Sequence, residues 1–128
     1  MTLDELKRGH ATNPHRMTLF CEFERYLTTL RSLLSEATVV MFGSFLSEKP
    51  CPEDIDLIVH GSVKPAEVAA FNINSVRSKG GIHVKSEISM LKADFRLMSE
   101  SELVSWFDNS ESNKSKGISV GTYSKIEF

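Results

Sequence analysis

The sequence predicts an α+β fold, a small mixed β-sheet flanked by helices, in one domain spanning residues 1–128. Three patterns carry the prediction. Apolar residues recur at the three-and-four spacing of a helix face from His15 to Glu36. Two short runs rich in β-branched residues, Thr38–Phe42 and Ile55–His60, read as buried strands. Val84–Leu91 then alternates as a strand should, with Val84, Ser86, Ile88 and Met90 on one face and Lys85, Glu87, Ser89 and Leu91 on the other.

In chain order, Asp4 to Arg8 predicts a single helical turn, and Gly9 to Pro14 a break, because both glycine and proline interrupt regular structure. The long helix follows with Met17, Phe20, Phe23, Leu27, Leu30 and Leu34 on its apolar face. Gly43-Ser44 closes the first strand in a tight turn. Ser47–Glu53, which holds Pro50 and Pro52, is a loop that joins the two strands into a hairpin-like unit. Pro65 to about Lys79 predicts a shorter helix, opened by proline and stopped by Gly80-Gly81. Ser99 and Glu102 form a capping-box pattern ahead of Leu103, Trp106 and Phe107, read as a short helix whose two aromatics pack in the core. Asn109–Gly117 is polar and loop-like, and Ile118–Ile126 offers a last strand interrupted at Gly121.

Composition narrows the function classes. With 41% hydrophobic and 25% charged residues the chain matches an ordinary soluble globular protein. A net charge of -2, with Lys and Arg spread along the sequence, gives no broad basic field for long nucleic acid. Neither a membrane-spanning apolar run nor a signal peptide is visible, so no membrane partner and a cytoplasmic address are expected. Cys21 and Cys51 are distant from one another and lack zinc-type spacing, which makes them free thiols, Cys21 packed on its helix and Cys51 in a loop. His10, His15, His60 and His83 show no metal-ligand spacing and read as surface or cap residues.

The chemistry concentrates in one stretch. Residues two apart on a strand share a face, so Asp54 and Asp56 project together while Ile55 and Leu57 enter the core. Two carboxylates in one small volume repel unless a cation of high charge density lies between them. Magnesium suits them, since it prefers oxygen and keeps waters and substrate phosphates beside one or two protein carboxylates. Gly43 allows close approach of backbone to a phosphate, and Ser44 adds a hydroxyl and an N–H, so this pair is the expected grip on a triphosphate. Glu87 is the candidate third carboxylate, completing a metal centre and orienting or deprotonating an attacking hydroxyl. Glu53 reads as solvated, and Lys49, Lys85 and Lys92 as surface charges.

Gly43-Ser44, the loop, and Asp54-Ile55-Asp56-Leu57 resemble the signature of the polymerase-beta-like nucleotidyltransferase superfamily, particularly its minimal, single-domain bacterial members. Gly9-His10-Ala11-Thr12, Lys49 to Asp54 and Lys116-Gly117-Ile118 are similar to a small bacterial or phage-associated branch of it. The resemblance implies a nucleotidyltransferase-like fold, magnesium dependence, and transfer of a nucleoside monophosphate from a nucleoside triphosphate to an unknown acceptor: protein, RNA or small molecule. It places Asp54, Asp56 and Glu87 as metal-holding and catalytic residues and Gly43 and Ser44 at the nucleotide. Three features depart from the pattern: Phe45 follows Gly-Ser with no arginine nearby, the third acid is Glu87 where aspartate is usual, and no second domain holds an acceptor. These support an alternative, a weak or inactive binding module on the same scaffold, acting with a partner protein as antitoxin, inhibitor or regulatory subunit.

Overall fold

The computed structural model of the chain describes residues 1–63, 82–89 and 96–128, with the side chains at 33, 35, 63 and 83–89 left aside. Its elements are α1 (Leu3–His10), α2 (Pro14–Leu33), β1 (Leu34–Phe42), a single 3₁₀ turn (Ser44–Leu46), β2 (Ile55–Val63), β3 (Ile82–Ser89), α3 (Glu100–Asp108), α4 (Glu111–Lys116) and β4 (Tyr123–Ile126). The strands form one mixed sheet in the order β3-β2-β1-β4, and the α+β class expected from the sequence is what the chain adopts. β1 pairs antiparallel with both β2 and β4, whereas β2 and β3 run parallel. A parallel pair requires a crossover connection of a dozen or more residues. The helix expected over Pro65–Lys79 lies outside the described residues.

Strand alternation divides the core into two layers. Val39, Met41, Ile55, Leu57 and Val59 face α1 and α2, where they meet Phe20, Phe23, Leu27 and Leu30, all of them buried. Val40, Phe42 and Ile58 face the other way, against Leu103 and Phe107 of α3 and Val120. Each fully buried side chain of this size contributes roughly 1.5–3 kcal/mol, so the helix stripe and the two strand runs together account for most of the fold's driving force.

Several boundaries differ from the sequence reading. α1 extends to eight residues because Thr2 caps it, accepting from the Glu5 amide at 3.2 Å. Gly9 falls inside that helix, and the break is confined to Ala11–Asn13. α2 begins at Pro14, with Asn13 as N-cap accepting from the Arg16 amide at 2.8 Å, and ends at Leu33 rather than Glu36. Leu34 keeps the apolar spacing of the helix and its N–H still donates to the Leu30 carbonyl, yet its backbone is already extended and stands in register with Val63 of β2. β3 begins at Ile82, two residues before the expected Val84, and the expected end at Met90-Leu91 lies outside the described residues.

The Asn109–Gly117 loop holds α4, capped by Ser110 and closed by Gly117 at φ 68°. It buries no residue, so no apolar periodicity announces it. The last strand is shorter than expected, Tyr123–Ile126. Cys21 is exposed on α2, not packed, since it lies off the buried stripe, and Cys51 is an exposed loop residue. No helix among the described residues is long and apolar enough to cross a membrane.

Candidate functional site

Asp56 is the second residue of β2 and stands directly opposite Phe42, the last residue of β1. Because Ile55 and Leu57 enter the α2-side core, Asp56 projects from the other face, and Asp54 lies just before the strand. Both carboxylates are half-buried. Gly43 follows Phe42 and turns at φ 81°, ψ -159°, a conformation that favours glycine. A Cβ built on Gly43 would collide with Asp56 Oδ2. The backbone turn and the carboxylate therefore share one confined space, with Ser44 starting the 3₁₀ turn on its far side.

The loop between turn and acids is held by the first turn of α2. Asn13 Nδ2 donates to the Pro50 carbonyl at 2.9 Å, and His15 Nε2 meets the Pro52 carbonyl. Arg16, only 3% exposed, does most of the holding. Its guanidinium donates to the carbonyls of His10 at 3.1 Å, Phe45 at 2.8 Å and Ser47 at 2.7 Å, and twice to that of Lys49. It also lies over the Phe45 ring, 5.3 Å from the centroid. An arginine is therefore beside Phe45 after all, reached through the fold and committed to loop carbonyls. Its planar fork spreads five donors over three nitrogens and so reaches carbonyls on several sides, where a lysine offers three donors from one nitrogen. No motif marks Arg16 in the sequence, although it occupies the place one turn before Phe20 on the apolar stripe, where a charge requires buried partners.

On the other side of the site, His60 is fully buried, not at the surface. Two residues past Ile58, it points to the α3 face, and its Nδ1 accepts from the Met98 amide at 3.1 Å while its β1 partner Thr38 donates to the Met98 carbonyl at 2.9 Å. This pair anchors the segment that leads into α3. Burial, then the Arg96 charge, holds the His60 imidazole below its usual range, with Glu102 opposing. Arg96 and Glu102 form a bidentate pair at 3.1 and 2.6 Å that, with the Ser99 bonds of the capping box, draws Glu102 down to about 2. His10 is likewise lowered, by burial and then by Arg16.

Asp56 also neighbours β3, where its register partner is His83. Glu87 is in register with Val59, three residues further along. The side chains of both lie outside the described residues, as do Lys85 and Lys92. Glu53 and Lys49 are exposed as expected. Among the described residues no three His, Cys, Asp or Glu side chains gather as a metal-holding group. Trp106 is 45% exposed while Phe107 is buried, so only one of the two aromatics packs in the core.

The chain matches a family of unknown function, DUF6932, over residues 1–120. It belongs to that family. Residues 1–120 contain every element of this DUF6932 chain except β4, and hence the turn, the loop, its Arg16 clamp and both acids. No curated protein and no solved structure matches the chain.

Proposed function

We propose that this protein is a magnesium-dependent nucleotidyltransferase, moving a nucleoside monophosphate from a nucleoside triphosphate to an acceptor hydroxyl on a protein, an RNA or a small molecule. The observation that carries the reading is the contact between Gly43 and Asp56. It sets the exposed backbone of a glycine turn against a carboxylate, with no space for a side chain at position 43.

The donor set fits magnesium, which typically takes one or two protein carboxylates and completes its shell with phosphates and water. Asp54 and Asp56 would hold it, and when bound it would neutralise charge on the α-phosphate and on the departing pyrophosphate. Gly43 and Ser44 would position the triphosphate, and the Arg16 clamp would fix the turn relative to the acids, so that the protein's contribution is placement and electrostatics. The acceptor oxygen bonds to the α-phosphorus, the bond to the β-phosphate oxygen breaks, and the acceptor proton passes to a base. Glu87 is the candidate for that base and for a third carboxylate on the metal. A cytosolic address, where nucleotides and magnesium are plentiful, belongs to the same reading.

A second reading rests on the register of β3. The residue directly across from Asp56 is His83, a nitrogen donor that magnesium takes less readily than oxygen. That favours a weakly active or inactive nucleotide-binding module working with a partner protein. Incubation with α-labelled nucleoside triphosphates, magnesium and cell lysate separates the two. Label transferred by the wild type but not by Asp56→Asn supports the enzyme, and saturable binding without transfer supports the module.

A further inference from the structure

The same face of the sheet carries a cleft of about 270 Å³ lined by Phe42, Trp106, Phe107, Ser110, Asn113 and Ile118, among others. Among the described residues three large hydrophobic side chains are exposed, and two of them, Trp106 and Ile118, line this cleft. Phe42 and Phe107 support it from within, their ring centroids 5.7 Å apart and tilted by 58°. Its wall is built by hydrogen bonds. Asn113 Nδ2 donates to the Phe107 carbonyl at 2.9 Å, the Ile118 amide to the Asn113 carbonyl at 2.8 Å, and the Val120 amide to Asp108 Oδ1 at 2.9 Å.

Phe42 links this cleft to the acids. It is the cross-strand partner of Asp56, and directly opposed side chains on one sheet face lie roughly 5 Å apart at Cβ. It also immediately precedes the Gly43 turn. A ligand whose phosphates lie at Gly43-Ser44 would thus find an aromatic-walled cleft beside it. The volume lies just under the roughly 300–1,000 Å³ of ordinary ligand pockets, which admits one ring system and not a whole nucleotide.

We infer that this cleft binds the base of the nucleoside triphosphate, with Trp106 stacking on the ring. The inference rests on the nucleotide reading above and adds a base-binding site to it. Trp106 is the chain's single tryptophan, so its emission reports the contact without a label.

The test titrates ATP, GTP, CTP, UTP and inorganic tripolyphosphate, each with magnesium, into wild type, Trp106→Ala and Ile118→Glu, reading heat in all three and tryptophan emission in wild type. At least one nucleotide is expected to quench Trp106, and tripolyphosphate is not. Trp106→Ala is expected to weaken that nucleotide about tenfold, the size of one base–aromatic stack, and to leave tripolyphosphate unchanged. Ile118→Glu, at a site 42% exposed and outside the core, is expected to weaken it as well. Nucleotide binding with unchanged emission and full affinity in both variants would overturn the base site while leaving the nucleotide reading standing. Absence of any nucleotide binding would overturn both.

Discussion

Gly43 lies against Asp56 so closely that a methyl group on the glycine would occupy the space of Asp56 Oδ2. Turn and carboxylate are thereby fitted to each other, and replacement of Gly43 tests the fit. Gly43→Ala is expected to destabilise the fold by about 2–4 kcal/mol, from positive-φ strain and the collision together. Gly117, at φ 68° and ψ 25° in the ordinary left-handed region, has nothing within 4 Å of an added Cβ, so Gly117→Ala should cost only about 1 kcal/mol. Equal losses in urea denaturation would contradict the contact.

Arg16 offers a second test. Arg16→Lys leaves most of the carbonyls of His10, Phe45, Ser47 and Lys49 without their donor, and a loss of about 2–4 kcal/mol is expected. Amide hydrogen exchange should accelerate between residues 44 and 52 more than in β2. Uniform acceleration across the chain would instead make Arg16 a general core residue.

Much of this site was legible in the sequence. Period-two alternation around Ile55 and Leu57 put Asp56 on the face opposite the α2 core, and the break after Phe42 marked the turn. Arg16 was not legible as a clamp, because its partners are loop carbonyls about thirty residues away that no local pattern reveals. Trp106 and Phe107 form one aromatic pair in the sequence, yet neighbours on a helix point about 100° apart, and only Phe107 is buried. His60 sits in a β-branched run on the strand face that α3 covers, and its burial depended on where α3 would dock. Leu34 fits helical and strand patterns alike, and it serves both elements, capping α2 through its N–H to the Leu30 carbonyl and opening β1 opposite Val63.

His60 gives the fold a pH dependence. Its folded value lies below the ordinary 6.5, so below pH 6.5 the unfolded chain binds more protons than the folded one, and stability falls as pH drops toward the folded value. His10 acts in the same direction. The melting temperature is expected to decrease between about pH 7.5 and 5.5, and less steeply in His60→Asn, where the amide oxygen still accepts from Met98 and the His10 share persists. Identical slopes in wild type and variant would remove His60 from the account.

The central claim is that Asp54, Asp56 and the Gly43 turn converge on a magnesium-bound nucleotide. Calorimetric titration of nucleoside triphosphates into wild type, Asp54→Asn and Asp56→Asn, with magnesium and with a chelator, tests it most directly. Saturable binding that requires magnesium and weakens at least about tenfold in each variant is the predicted result, since each substitution removes a charge from the metal. Binding of equal strength in all three proteins, or unaffected by the chelator, would contradict it.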